Sequence, residues 1–230
     1  MSAATWAIVP VKLLGQAKRR LAPVLPANAR RRLVVTMLEQ VLATVGEVEA
    51  IDARLVVTPD ADVAELAKRM GATVLAETRA RGLNAAASAG LAHARAGGAA
   101  HAVILPADIP LATPQELRRI VEHATAGGRP RIVLAPSRDG DATNALMLSP
   151  PDALEPSFGP GSFLRHLAQA VARKLDVQVL QLPGLASDID EPHDLERLLA
   201  HEQGAARYGF LGAHASRPAG HSQNHPRGKE

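Results

Sequence analysis

Apolar and polar positions along this chain switch repeatedly between a strand-like run and a helix-like stripe. Residues 6–11 form an unbroken apolar run of strand length. Across residues 28–45 the apolar positions are Leu33, Val34, Met37, Leu38, Val41, Leu42 and Val45. That three- and four-residue spacing predicts an amphipathic helix. A second strand is expected at 54–58 and a helix at 62–70, where Asp62 and Glu65 have capping-box spacing and Gly71 ends the helix. A short strand at 73–76 is followed by a small, Ala-rich helix at 83–95, ended by Gly97-Gly98.

The pattern continues with a central strand at 102–105. Thr113-Pro114-Gln115-Glu116 is a helix start, with a Thr cap, Pro at the first helical position and Glu three residues on. Further strands are predicted at 131–135, 145–148 and 177–182, and helices at 162–174 and 192–202. Strands alternating with helices through short connections imply an α/β fold, a mostly parallel sheet covered by helices on both faces. The strands flanking Asp139-Gly140-Asp141 are expected to form a local antiparallel excursion. One domain spans residues 1–203. Residues 204–230 have no periodic order and are expected to be a disordered basic tail.

Composition narrows the function classes. The absence of cysteine excludes disulfides, thiolate metal sites and cysteine nucleophiles, and agrees with a cytoplasmic location. The apolar run at 6–11 ends at Lys12, too short for a secretory signal, and no run reaches the ~20 residues that span a bilayer. The pI of 9.7 belongs to the tail. Arg207, Arg217, Arg227 and Lys229 against Glu230 give it a net +3, leaving 22 basic and 22 acidic residues in the body. With five aromatics in all, the body has little with which to stack on bases, so neither nucleic acid nor membrane is expected as a partner. His214, His221 and His225 are widely spaced in the tail and are read as incidental.

The candidate chemistry is acidic and lies at strand ends. Asp108 follows the central strand in Leu105-Pro106-Ala107-Asp108-Ile109-Pro110, and Asp188-Ile189-Asp190 follows the strand at 177–182. In extended chain, residues two apart point to the same side. Three carboxylates at the carboxyl edge of an α/β sheet suggest a divalent cation holding phosphates. For Asp190 alone, turn chemistry before the helix at Pro192 serves equally well.

Three loops are suited to anions. Lys12 to Pro23 contains Gly15, Lys18, Arg19 and Arg20 directly after the first strand, where nucleotide phosphates commonly bind, although a solvated basic loop is an equal reading. Arg79-Ala80-Arg81-Gly82-Leu83-Asn84 opens the Ala-rich helix, with Asn84 either its N-cap or a nucleotide-reading amide. Phe158-Gly159-Pro160-Gly161-Ser162 opens another helix and is either a phosphate cradle or a turn with a serine cap. Thr143-Asn144 could donate to a second anion.

Taken together, Val9-Pro10-Val11-Lys12, Ala17-Lys18-Arg19-Arg20-Leu21, Arg81-Gly82-Leu83-Asn84, Pro106-Ala107-Asp108-Ile109-Pro110, Phe158-Gly159-Pro160-Gly161-Ser162 and Asp188-Ile189-Asp190 resemble the CofC/FbiD guanylyltransferases. The likeness runs in order from about Ala7 to Leu199. It implies a single-domain Rossmann-like nucleotidyltransferase sandwich, GT-A-like, that transfers GMP from GTP to a three-carbon phospho-acid in coenzyme F-420 biosynthesis. The acid would be 2-phospholactate, phosphoenolpyruvate or 3-phosphoglycerate.

By the same likeness, Pro10, Lys12, Lys18, Leu83 and Asn84 would hold GTP, and Thr143, Gly159 and Ser162 the acid. Asp108, Asp188 and Asp190 would bind magnesium, with Lys18, Asp108 and Asp190 catalytic. The family also implies an assembly that can be a homodimer and a product passed to a downstream transferase. The competing expectations are a sugar-phosphate or molybdopterin-type nucleotidyltransferase, usually richer in glycine in the first loop, and a nucleotide-sensing module without catalysis.

Overall fold

The computed structural model describes residues 3–125 and 131–212. The strands are β1 (Thr5–Pro10), β2 (Ala53–Thr58), β3 (Thr73–Ala76), β4 (His101–Ile104), β5 (Arg131–Pro136), β6 (Thr143–Ser149) and β7 (Asp176–Val179). The helices are α1 (Ala27–Gly46), α2 (Ala61–Arg69), α3 (Leu83–Ala96), α4 (Pro114–Thr125), α5 (Ser162–Ala172), α6 (Pro192–Ala200) and α7 (Glu202–Tyr208).

The described residues form one seven-stranded sheet in the order β3-β2-β1-β4-β6-β5-β7. β6 pairs antiparallel with both β4 and β5, and the other pairings are parallel. The expected antiparallel pair is therefore present, built into the middle of the sheet. Side-chain alternation explains why both faces need helices. Ala7, Val9, Val56, Val103 and Met147 face a core made with α1, α2, α4, α6 and α7. Ile8, Leu55, Ile104, Leu134 and Leu146 face a second core with α3 and α5. Gly90 lets α3 lie low on that second face, because a Cβ there would come within 2.5 Å of Ile8 Cγ2.

Several local expectations are corrected. α2 is capped by Asp60, which accepts from the N–H groups of Asp62 and Val63. Asp62 is thus inside the first turn, and Glu65 pairs with Lys68 at 2.8 Å. The Thr113–Glu116 box does form, with Glu116 Oε2 accepting from Thr113 N at 3.0 Å and Thr113 Oγ1 accepting from Glu116 N at 3.2 Å.

The chain does not lose order at residue 204. α7 crosses the expected boundary, followed by a 3-10 turn at Gly209–Leu211. Tyr208 and Leu211 enter the first core, and the Arg32 guanidinium lies 3.8 Å above the Phe210 ring. Apolar burial by these residues outweighs the polar surroundings that suggested disorder. The rest of the predicted tail, residues 213–230, lies outside the described residues. None of the described helices is long and apolar enough to cross a membrane.

Candidate active site

Lys18 is the centre of the site. It occupies a left-handed backbone conformation (φ 53°, ψ 41°) between two short 3-10 turns. That bend turns the side chain inward, to only 6% exposure. Its Nζ donates to Asp108 Oδ2 and, at 2.7 Å, to Asp190 Oδ1. Burial alone pulls the Lys18 pKa down, but the charges of Asp108 and Asp190 outweigh it and hold the pKa above the ordinary lysine value. For Asp190 burial acts upward, and Lys18, with smaller contributions from Arg20 and Lys12, brings the net shift below the usual carboxylate value. Lys12 itself is exposed.

Asp188 stands in a different environment. Burial raises its pKa, and Asp108 and Asp190 push it further up, against a hydrogen bond from Asn144 Nδ2 at 2.9 Å. Asn144 also donates to Leu185 O at 2.9 Å, which fixes the amide. Lys18 bonds to neither oxygen of Asp188, so its negative charge is the least compensated of the three. Among the described residues no group of three or more His, Asp or Glu side chains is set to enclose a metal by itself.

Backbone contacts carry these residues to one place. Asp108 O accepts from Ile189 N at 3.0 Å, locking the β4 edge to the segment bearing Asp188 and Asp190. Buried Glu116 sends its other oxygen to Gly184 N at 2.7 Å, anchoring the same segment from α4. Asp60, besides capping α2, accepts from Leu14 N at 2.9 Å and so tethers the loop between Lys12 and Lys18. Pro10 is buried at the end of β1, two residues before Lys12.

The second cluster surrounds residues 157–162. Gly159 (φ 112°) and Gly161 (φ 68°) both need the positive φ that glycine adopts freely. Gly161, not Ser162, precedes α5 as its N-cap. Ser162 is fully buried and its Oγ accepts from Thr143 N at 2.9 Å. Thr143 Oγ1 in turn lies 2.9 Å from His166 Nδ1. His166 Nε2 accepts from Ser157 N at 2.9 Å, so Nδ1 carries the proton and donates to Thr143.

Thr143, Gly159 and Ser162, proposed together from sequence, are therefore neighbours. The two hydroxyls are buried behind Gly159 and Pro160, which line the open cleft. Asn84 behaves differently from both expectations. The N-cap of α3 is Gly82, and the Asn84 amide grips Phe158, accepting from its N–H at 2.6 Å and donating to its C=O at 3.2 Å. It ties the start of α3, where Leu83 sits half-buried, to the glycine loop.

Sequence reasoning missed Asp60 and His166, and Glu116 was legible as a capping-box residue but not as the partner of Gly184 N. For His166 a signal existed, since it sits on the four-residue stripe between Ser162 and Ala170 that α5 turns inward. Burial and the nearby Arg165 charge lower its pKa to about 4. The unfolded chain binds that proton near pH 6.5, so stability is fully present above 6.5 and is lost as pH falls toward 4. This one group is expected to reduce stability by roughly 2 kcal/mol between pH 7.5 and 5. Urea unfolding at the two pH values checks it. His166→Asn should lose that part of the slope, and an unchanged slope would contradict the assignment.

A cleft of ≈ 470 Å³ opens beside both clusters, lined among others by Arg138, Gly159, Pro160, Ser187, Asp188 and Asp190. An acidic pair clamped on a buried ammonium, a less compensated third carboxylate and a rigid glycine loop suit the joining of two phosphate-bearing molecules.

Comparison with known proteins agrees with that geometry. The family described as "Guanylyl transferase CofC like" matches residues 5–216. A phosphoenolpyruvate guanylyltransferase of Sphaerobacter thermophilus is 44% identical over 197 residues, covering 86% of this chain and 93% of the relative. A 2-phospho-L-lactate guanylyltransferase of Methanothermobacter thermautotrophicus is 34% identical over 207 residues, covering 90% and 89%. Among solved structures, a nucleotidyl transferase from Methanothermobacter superposes with TM-score 0.62 at 22% identity, covering 91% of this chain and 99% of that one, a likeness of fold. This chain belongs to the CofC-like guanylyl transferase family.

Proposed function

We propose that the protein transfers GMP from GTP to the phosphate of a three-carbon phospho-acid, phosphoenolpyruvate first among them, and releases pyrophosphate. The observation that carries this reading is the Lys18–Asp108–Asp190 clamp with Asp188 beside it, at the edge of the cleft bounded by the glycine loop. The 44% identity to a phosphoenolpyruvate guanylyltransferase, against 34% to a 2-phospho-L-lactate enzyme, supports the choice of acid.

The chemistry asks little of a general base. A phosphate monoester is largely dianionic near neutral pH, its second pKa being about 6, so its oxygen is already a nucleophile toward the α-phosphorus. The obstacle is electrostatic. Two like charges ~4 Å apart repel by about 4 kcal/mol at an effective dielectric of ~20. Lys18 supplies one fixed positive charge, and its two carboxylate partners hold it in place before substrate arrives. Lys12, exposed and close enough to act on Asp190, is available to the triphosphate. Asn84 holds the glycine loop against α3, which keeps the acid side of the cleft in register with the nucleotide side.

Magnesium belongs to this reading, bound together with the substrate phosphates, because the side chains alone form no metal-enclosing group among the described residues. Asp188, the least compensated of the three carboxylates, favours a nearby cation, and magnesium commonly binds through one or two carboxylates plus substrate phosphates. Asp108, Asp188 and Asp190 would hold it. When bound, it would neutralise phosphate charge and stabilise the departing pyrophosphate.

Pyrophosphate release, measured with GTP, magnesium and each of phosphoenolpyruvate, 2-phospholactate and 3-phosphoglycerate, tests the proposal. Release with phosphoenolpyruvate exceeding the other two is expected. No release with any acid from folded protein would overturn it. The product joins the acid to GMP through an anhydride, a form suited to a downstream transferase that displaces GMP.

A further inference from the structure

We propose that Arg138 is a specificity residue that receives the carboxylate of the acceptor acid. The proposal rests on the guanylyl-transfer reading above and adds the group that would tell a phospho-acid from a plain phosphate monoester.

Charged side chains of both signs line the cleft. Its basic side chains are Arg20, Arg138, His193 and Arg197. Arg20 pairs with Glu191 at 3.4 Å, and Arg197 with Asp194 at 3.4 Å. His193 lies 3.2 Å from Asp194 and 3.6 Å from Glu191. Arg138 has no carboxylate within ion-pair distance among the described residues. Its one side-chain hydrogen bond runs from Nη2 to the neutral Ser187 Oγ at 2.7 Å. A guanidinium has five N–H donors in a planar fork, so this bond leaves most of the fork unused.

The nearby acids, Asp139 and Asp141, bond within the turn and to Gly161 N, and not to Arg138. Asp139 Oδ1 accepts from Ser137 Oγ and from Asp141 N, and Asp141 Oδ2 accepts from Gly161 N at 2.9 Å. The same bonds make the turn rigid. Ser137 N donates to Ala142 O at 2.8 Å, and Arg138 N donates to Ala186 O at 3.1 Å. Ser187 Oγ donates to Pro183 O at 2.7 Å, which orients its lone pair toward Arg138. Arg138 is thus held at its backbone N–H and at one guanidinium nitrogen, in the cleft lining that also contains Gly159 and Asp188.

The acceptor carries two anionic groups. Its phosphate must reach the aspartate cluster, where the nucleotide phosphates are. Its carboxylate would then lie farther along the same cleft and needs a cationic partner apart from the magnesium and Lys18 that serve the phosphates. Arg138 is the unpaired cation of that cleft, and its fork matches a carboxylate with two parallel hydrogen bonds.

The test compares 2-phospholactate with its methyl ester, which keeps the phosphate and masks the carboxylate, in wild type and Arg138→Gln. In the wild type, kcat/KM for pyrophosphate release should favour the acid over the ester by about tenfold or more, the scale of a charge-assisted hydrogen bond. In Arg138→Gln the acid and the ester should become nearly equal, the loss appearing in KM for the acid while KM for GTP is unchanged. Arg138→Lys should restore part of the preference. An acid-over-ester ratio that is the same in wild type and Arg138→Gln, or absent from the wild type, would overturn the proposal.

Calorimetric titration with 2-phospholactate separates this proposal from the transfer reading. If no acid supports turnover, binding that weakens in Arg138→Gln sustains the carboxylate subsite while guanylyl transfer fails. Binding that is absent, or equal in the two proteins, removes the subsite as well.

Discussion

Asp108→Ala and Asp190→Ala are each expected to lower pyrophosphate release by on the order of 10³-fold while the protein stays folded. Each carboxylate holds the Lys18 ammonium, and Asp190 also lines the cleft proposed to take the phosphates. Loss of either leaves that buried ammonium one partner and alters the charge presented to the triphosphate. The fold survives because the link between the two segments runs through backbone, from Ile189 N to Asp108 O. Removing one carboxylate also relieves the like charge that raises Asp188. Turnover assays and thermal melts on the same purified variants check both halves. Magnesium-dependent activity within tenfold of wild type, in either variant, would remove these aspartates from the mechanism.

The largest expected stability effect lies far from the site, at Tyr208. It is 1% exposed and packs in the α1–α4–α7 side of the first core. Tyr208→Ala should cost about 3–5 kcal/mol, the usual range for emptying a buried aromatic site. Tyr208→Phe should act in the opposite direction. The Tyr208 hydroxyl is buried with no hydrogen-bond partner among the described residues, so removing it relieves a desolvation cost of about 1–3 kcal/mol. Denaturant midpoints for the two variants provide the check. A destabilised Tyr208→Phe would show that the hydroxyl has a partner after all.

Tyr208 also shows where sequence reading stops. The parallel sheet, its two-sided cover and the antiparallel pair around Asp139 were legible, because apolar period reports which face is buried. Residues 204–212 were not. Tyr208, Phe210 and Leu211 are three apolar side chains among Gly, Ala and Arg, too few to establish a period. Their order comes from a core that other elements build.

The site divides in the same way. Asp108, Asp188 and Asp190 were visible because acidic residues directly after apolar runs stand out, and Thr143, Gly159 and Ser162 do come together. The role of Lys18 between two aspartates was not visible. It depends on residues 90 and 172 positions away and on a left-handed backbone turn. The same limit hid the distant backbone N–H groups that the Asp60 and Glu116 side chains hold. Asn84 appeared as a cap or a nucleotide ligand, and in the fold it fastens the glycine loop.

The central claim is that an acceptor phosphate oxygen attacks the α-phosphorus of GTP. Phosphorus NMR of a reaction containing the protein, GTP, magnesium and phosphoenolpyruvate tests it most directly. Two mutually coupled doublets from a new P–O–P diester should appear in step with one equivalent of pyrophosphate. GMP or GDP formed by hydrolysis, with phosphoenolpyruvate left unchanged, would contradict it.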